Sequence, residues 1–234
     1  MRRELQELAS LGLNNPWAML LAARNFVKTV WDPSRSDIGH GINSLISTAL
    51  KDAGPQQIER LACEQPDAIT LFNERYDPDI TPTRLAKLPD GTLGREYARF
   101  IRANHIDPLA TLLEIGTPTN PLQYLFRRAY KLHDLMHTAL GVDASILGEV
   151  RIVSYSLGQT ADGAGFASRA PAMALAVLFL HLSLRKPAQV KEAVRLAKDW
   201  MQIGEQARPH VTFRLEDHLD RPVPEVREMV LAPA

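Results

Sequence analysis

Apolar residues recur along this chain at helical spacing, and helix-start signals separate the segments that carry them. In residues 36–50 apolar side chains return every three or four positions, which places them on one helical face. Asn15-Pro16 pairs a capping residue with a first-turn proline and predicts a helix to about Trp31. Further helices are predicted over residues 55–64, 67–75, 92–104, 120–140, 144–157, 171–184, 188–206 and 224–230.

Strand signals are scarce, so the pattern predicts an all-α protein. Proline-rich residues 76–82, the segment Leu88-Pro-Asp-Gly and glycine-rich residues 158–168 are predicted connectors. No shift in composition accompanies any of them, which indicates a single helical domain over residues 1–234. Gly141 is expected to end the helix that starts at Asn120, with Asp143 capping the next one.

The overall charge narrows the classes of partner. The 27 basic residues balance the 27 acidic ones, so the chain lacks the positive field typical of nucleic-acid-binding proteins, and no such partner is expected. Cys63 is the sole cysteine, which excludes an internal disulfide and a cysteine zinc cluster and fits a reducing compartment.

Membrane signals are weak. Residues 1–13 carry charges throughout and lack the apolar stretch of a signal peptide. The longest apolar run, residues 170–184, is shorter than the roughly 20 residues of a spanning helix. We interpret this run as a buried helix first and a shallow membrane contact second, and expect a cytoplasmic protein.

Three potential metal ligands fall within five residues, in the segment His133-Asp134-Leu-Met-His137. At about 100° per residue the two histidines are only about 40° apart around a helix, and Asp134 is about 60° from His137. Glu149 follows twelve residues later, and the break at Gly141 lets an antiparallel second helix direct it to the same face. Two imidazoles with one or two carboxylates suit one divalent ion, zinc first, with iron(II) or manganese as alternatives.

Each of these residues also has a structural interpretation. A histidine near a helix C-terminus is favoured by the helix dipole, and Asp134 could pair with Lys131. Glu149 could be an ordinary first-turn carboxylate. Two histidines four residues apart with an acid between them are nevertheless a recurrent ligand arrangement, so the combination favours a metal site.

The segment from His133 to Glu149 resembles the His-Asp-x-x-His-x₁₁-Glu signature of the coenzyme Q (ubiquinone) biosynthesis protein 4 family. Residues 88–100, Leu-Pro-Asp-Gly-Thr-Leu-Gly-Arg-Glu-Tyr-Ala-Arg-Phe, and residues 219–227, near the C-terminus, are similar to two further family segments, so the resemblance covers about residues 85–230. Met136 stands where family members often have an aromatic residue, and residues 158–168 and 1–80 show no match.

The resemblance implies a helical, dimerising peripheral membrane protein that works with other quinone-biosynthesis proteins. It also implies an apolar groove for an isoprenoid lipid and removal of the ring carboxylate from a polyprenylated hydroxybenzoate, coupled to hydroxylation of the same carbon. Asp134 is the candidate catalytic residue. The candidates for substrate binding are Arg127, Arg128, Lys131 and Tyr97; the alternatives are a solvated basic face for the three cations and a core position for Tyr97.

Three functions follow in order of preference. The first is a metal-dependent decarboxylase, a lyase of ubiquinone biosynthesis. The second is a non-catalytic scaffold that binds prenyl lipids and uses the metal to brace two helices. The third is a metal-dependent phosphohydrolase, suggested by the adjacent His133 and Asp134 but lacking a convincing set of additional ligands.

Overall fold

The computed structural model describes residues 65–108, 112, 116–160 and 166–233, with residues 58–59 and 62–63. Within these ranges the chain forms helices joined by short loops and contains no β-strand, which confirms the all-α class. The described α-helices are α1 (Pro66–Asn73), α2 (Pro82–Leu85), α3 (Leu93–Ala103), α4 (Pro121–Leu140), α5 (Ile146–Gly158), α6 (Phe166–Arg185), α7 (Val190–Gln206) and α8 (Val223–Leu231). Short 3₁₀ helices cover Pro187–Gln189 and Leu215–His218.

Helix α4 begins and ends where the sequence predicts. The Asn120 side chain accepts a hydrogen bond from the Gln123 backbone N–H, which satisfies one of the unpaired donors of the first turn. At the other end Gly141 has a φ of 70°, a left-handed conformation that glycine adopts without steric cost. Arg227 of α8 donates from Nε to the Ala139 carbonyl oxygen and so stabilises the last turn of α4.

Helix α5 is capped two residues later than predicted. The Ser145 hydroxyl oxygen accepts a hydrogen bond from the Gly148 N–H at 3.1 Å, which makes Ser145 the capping residue. The prediction of Asp143 in this position is wrong. Its carboxylate instead accepts hydrogen bonds from the hydroxyl and N–H of Ser145, at 2.6 and 3.1 Å. Asp143 therefore supports the cap from the preceding loop.

Helix α6 begins earlier than predicted, at Phe166 instead of Pro171. The last residues of the predicted flexible stretch 158–168 are therefore helical. Pro171 lies inside the helix, where it removes one backbone hydrogen bond but does not end the helix. Because proline is common in the first turn of a helix, the sequence placed the start of α6 at Pro171, five residues too late.

Two apolar clusters organise the packing. The larger one lies between α3, α4, α5 and α8 and includes the fully buried Leu93, Leu132, Leu135 and Val226. The second joins α5, α6 and α7. Helix α5 takes part in both clusters, so its position, and that of Glu149 in its first turn, is fixed from two sides.

Helices α5 and α7 cross in backbone contact at two glycines. A Cβ atom on Gly158 would overlap the Met201 carbonyl oxygen, and one on Gly204 would overlap the Tyr155 carbonyl oxygen. Only glycine permits this approach, because any larger residue would have to separate the two helices.

Several predictions concern other parts of the chain. The helices predicted over residues 15–31 and 36–50 lie outside the described residues, as does most of the one over 55–64. The single domain and the antiparallel course of the two motif helices stay predictions. Of the described helices, none is long and apolar enough to cross a membrane.

Candidate metal centre

Helices α4 and α5 bring His133, His137 and Glu149 together. The two histidines are one turn apart on α4, and their rings are 4.9 Å apart between centroids. Glu149 Oε2 is 3.1 Å from His133 Nε2, and Glu149 Oε1 is 3.3 Å from His137 Nε2. The ligand atoms of all three residues lie within 4.8 Å of one another. One carboxylate therefore faces two imidazole nitrogens with its two oxygens.

Backbone carbonyls fix the proton on the His137 ring. Its Nδ1 is 3.0 Å from the Asp143 carbonyl oxygen and 3.3 Å from that of Val142. Carbonyl oxygens only accept hydrogen bonds, so Nδ1 is the donor and Nε2 of the neutral ring carries a lone pair. Such an arrangement is the usual way in which a second contact orients a metal-ligating histidine.

His137 Nε2 is buried and has no hydrogen-bond partner among the residues that the structure describes, although Glu149 Oε1 is only 3.3 Å away. A lone pair facing a carboxylate oxygen is repulsive unless a proton or a metal ion lies between the two atoms. Two nitrogens and one oxygen suit zinc, iron(II) or manganese, and three protein ligands leave coordination positions open. The residues present therefore fit a divalent metal ion.

Without a metal, the side chains of the cluster shift one another's pKa values. Burial lowers the pKa of His133, but the charge of Glu149 and the hydrogen bond to it outweigh that effect and raise the pKa to about 9. Burial acts to raise the pKa of Glu149, yet His133 and His137 hold it well below its usual value. A carboxylate kept ionised next to two imidazoles is a prepared cation site.

Asp134, the fourth predicted ligand, is not in the group of three whose ligand atoms meet in the described part of the chain. Its short side chain is offset from both histidines around α4, which is the geometric weakness that the helical spacing implies. Burial raises its pKa, and the charges of His133 and His137 oppose that rise. Asp134 therefore lies close enough to the cluster for the charges of its residues to change the Asp134 pKa.

The basic residues before the motif do not form a solvated face. Arg128 and Lys131 are buried, with 3% and 7% of their surface exposed. Arg128 donates to both oxygens of Glu216 at 2.7 and 2.8 Å, and two further donors bond to the Val211 and Phe213 carbonyl oxygens. Four of the five N–H donors of its guanidinium are thus used by the protein. A substrate carboxylate would have to displace those contacts.

The two other cations meet at one carboxylate. Lys131 Nζ is 2.6 Å from Asp77 Oδ1 and also donates to the Pro78 carbonyl oxygen. Arg127 Nη2 is 3.2 Å from Asp77 Oδ2, while its Nη1 is buried with no hydrogen-bond partner in the described residues. These contacts tie α4 to the loop after α1. The substrate-binding roles of Arg127, Arg128 and Lys131 stay predictions.

Helix α3 places Phe100 against the cluster and Tyr97 in the core one turn earlier. Phe100 stacks on the His137 ring, with centroids 5.4 Å apart and an angle of 26° between the planes. Tyr97, one turn earlier, is fully buried, and its hydroxyl has no hydrogen-bond partner in the described part of the chain. No sequence motif indicated a role for Phe100, although its spacing of three from Tyr97 puts both on one face.

The chain is similar to proteins named for ubiquinone biosynthesis. The family model of the coenzyme Q (ubiquinone) biosynthesis protein Coq4 matches residues 10–232. The ubiquinone biosynthesis protein COQ4 homolog, mitochondrial, of Xenopus tropicalis is 30% identical over 222 residues, which cover 91% of this chain and 72% of the relative. The protein of the same name from Danio rerio is 42% identical over 148 residues, which cover 60% of this chain and 52% of the relative.

A solved structure shares the fold. The crystal structure of a protein from Nostoc punctiforme, a candidate for ubiquinone biosynthesis, aligns with a TM-score of 0.68. It covers 93% of this chain and 97% of its own, at 23% sequence identity, so the likeness shows the fold alone. The family match, in contrast, spans nearly all of the chain, including every residue of the candidate metal centre. The chain belongs to the coenzyme Q (ubiquinone) biosynthesis protein Coq4 family, as its His-Asp-x-x-His-x₁₁-Glu segment predicts.

Proposed function

We propose that this protein takes part in ubiquinone biosynthesis as a metal-dependent decarboxylase of a polyprenylated hydroxybenzoate. The observation that carries the proposal is the unpartnered, buried Nε2 of His137 beside Glu149. A group of three ligands also favours catalysis over bracing, because a purely structural metal site is normally closed by four protein ligands. The names of the relatives support the pathway.

In this proposal His133, His137 and Glu149 hold one divalent ion. When bound, such an ion polarises an oxygen of the substrate and stabilises negative charge that develops on the ring. The bond between ring and carboxylate breaks, carbon dioxide leaves, and the electron pair stays on the ring carbon until a proton replaces the lost group. Asp134, beside the cluster, is the proposed group that transfers this proton. If the carbon is hydroxylated instead, dioxygen and an external two-electron donor are required.

The proposed setting of the reaction is a membrane surface. Leu180 and Leu184 of α6 are 41% and 60% exposed, which supports apolar contact with a lipid layer or with the isoprenoid tail. With zero formal net charge, such attachment should depend weakly on salt. A homodimer and contacts with other quinone-biosynthesis proteins belong to the same proposal.

The experiment that tests the site measures metal content and quinone output together. His133→Ala and Glu149→Ala should each weaken metal binding on the order of a hundredfold, because each removes one of three ligands. In cells that lack the native family member, both variants should fail to restore ubiquinone. His105→Asn is the matched control, since His105 is exposed and asparagine tolerates its positive φ.

Asp134→Asn separates the enzyme from the scaffold. The amide keeps the shape of the side chain but cannot take up or deliver a proton. A catalytic Asp134 predicts normal metal content, an unchanged melting temperature, little ubiquinone and accumulated aromatic acid. Normal ubiquinone from a variant with normal metal would instead favour the lipid-binding scaffold.

A further inference from the structure

Two tyrosine hydroxyls are buried in the core without a hydrogen bond to any described residue. They belong to Tyr97 of α3 and Tyr155 of α5, whose side chains have no exposed surface. A buried hydroxyl without a partner destabilises the folded protein relative to one that is hydrogen-bonded. Native proteins rarely keep such a group unless a ligand or water completes it. The two tyrosines are therefore candidates for contact with something that the described residues do not supply.

Their surroundings distinguish them. Phe100, one turn after Tyr97 on α3, stacks on the His137 ring, so this face of α3 lies against the metal centre. Asp134 is one turn before His137 on α4. Tyr155 instead lies near His210, 6.0 Å away between ring centroids. Of the two hydroxyls, only that of Tyr97 has a pKa raised by the charge of Asp134, which places Tyr97 near the cluster.

The charge next to Tyr97 keeps it a donor. Burial raises the pKa of the Tyr97 hydroxyl, and the negative charge of Asp134 raises it further. The phenol therefore retains its proton at physiological pH. No hydrogen bond joins it to Asp134, so within the described residues the donor is unused. An O–H held in a water-poor site beside a metal is suited to an anionic oxygen.

We propose that Tyr97 donates a hydrogen bond to a carboxylate or phenolic oxygen of an aromatic acid held at the His133–His137–Glu149 cluster. This inference rests on the proposed function and names Tyr97 as a residue that recognises the substrate head group. It also explains why the hydroxyl is retained in an otherwise apolar part of the core. Phenylalanine would fill the same space without the cost of burying an unbonded hydroxyl.

The test compares Tyr97→Phe with Tyr155→Phe in zinc-loaded protein, with 4-hydroxybenzoate as the probe and calorimetry as the measurement. Both variants should keep their zinc and melt at the same temperature as the wild type or higher. The wild type and Tyr155→Phe should bind the probe with equal affinity and only when zinc is present. Tyr97→Phe should bind it at least about tenfold more weakly, the loss expected for one hydrogen bond to a charged group.

The outcomes separate this inference from the proposed function. Unchanged probe affinity in Tyr97→Phe, equal losses in both variants, or no zinc-dependent binding by the wild type would each overturn the role of Tyr97. A lower melting temperature for Tyr97→Phe alone would also overturn it, because it would show that the hydroxyl is bonded within the protein. The proposed function fails separately, if His133→Ala restores normal ubiquinone.

Discussion

Helix α4 carries two charged clusters, one at Arg128 and one at His133 and His137, and they differ in how completely they are bonded. In the first, every nitrogen of the Arg128 guanidinium has a partner, and Glu216 accepts two of its hydrogen bonds. In the second, His137 Nε2 has no hydrogen-bond partner in the described part of the chain, although Glu149 is next to it. Both clusters are buried or half-buried, and both pair basic groups with one carboxylate.

This difference in hydrogen bonding distinguishes a cluster that stabilises the fold from a cluster that can bind a ligand. A fully satisfied buried ion pair holds elements together, here α4 and the 3₁₀ helix at Leu215–His218. An incomplete one leaves bonding capacity for a ligand. Composition does not distinguish the two clusters, because each consists of cations and a glutamate. The two clusters are distinguished by the buried polar atoms that lack a hydrogen bond. The following substitutions test this distinction.

The largest effect on stability should come from Glu216→Gln. Arginine cannot release its proton, so this variant leaves Arg128 charged in a site where only 3% of it is exposed. We expect a loss of about 3–5 kcal/mol in the free energy of unfolding, measured with denaturant. Glu149→Gln should cost on the order of 1 kcal/mol, because the neighbouring imidazoles can become neutral.

The double variant Arg128→Met with Glu216→Leu is the control for this comparison. It removes both charges and should recover most of the stability lost in Glu216→Gln. Zinc binding should remain normal in the double variant and fall in Glu149→Gln. A Glu216→Gln protein as stable as the wild type would show that the pair is not the brace described here.

An intermediate effect is expected from Gly148→Ala, which touches no ligand. A Cβ atom here would overlap the carbonyl oxygen and carboxylate of Asp143. Asp143 would have to move, and its carbonyl oxygen would lose the hydrogen bond from His137 Nδ1. We expect metal affinity to fall by about 10–100-fold, as when the outer partner of a ligating histidine is removed. Gly91→Ala is the control: it strains a residue with a φ of 81° and costs stability, but no atom lies within 4 Å of a Cβ there, so zinc affinity should not change.

A smaller effect should appear only in acid. Burial, followed by the charges of Arg128 and His133, lowers the pKa of His210 to about 3. Between its ordinary value of 6.5 and about 3, the unfolded chain binds a proton that the folded chain does not. The contribution of His210 to stability is therefore complete above pH 6.5 and is lost as the pH falls towards 3.

His210→Asn should flatten this dependence in denaturant titrations of the metal-free protein between pH 6.5 and 4. Asparagine has no proton to gain, yet its amide can replace the Nδ1–H that bonds to Gln159. The same slope in variant and wild type would assign the acid sensitivity to another group.

Arg127→Ala should have the smallest effect. Its ion pair joins a side chain that is 21% exposed to Asp77, which is 50% exposed, and such pairs contribute about 1 kcal/mol or less. Metal content should not change. If Arg127 nevertheless receives a substrate carboxylate, as the sequence suggested, ubiquinone output in complemented cells will fall while stability stays constant. Equal output and equal stability would remove Arg127 from the list of candidate substrate-binding residues.

The sequence predicted features that lie within one helix, but not contacts between residues that are distant along the chain. The spacing of His133 and His137 and the cap at Gly141 follow from one helix, so the periodicity was sufficient to identify them. Glu216 is 88 residues from Arg128 along the chain, and no local pattern joins them. The stacking of Phe100 on His137 likewise depends on how α3 packs against α4. For Arg128 the sequence therefore offered substrate binding or a solvated face, and neither alternative included the buried ion pair with Glu216.

The glycine crossing of α5 and α7 has a consequence for how quickly a metal ion can enter and leave. With no side chain between the two backbones, α5 cannot slide or tilt against α7 without atomic overlap. Glu149 therefore lies on α5, which is the more rigid of the two helices that supply the ligands. Exchange of the ion should depend on movements of α4 and of the loop at residues 141–145, whose carbonyl oxygens bond to His137. We expect amide hydrogens in α5 and α7 to exchange slowly at all metal concentrations, whereas those of residues 141–145 become protected only when the metal binds.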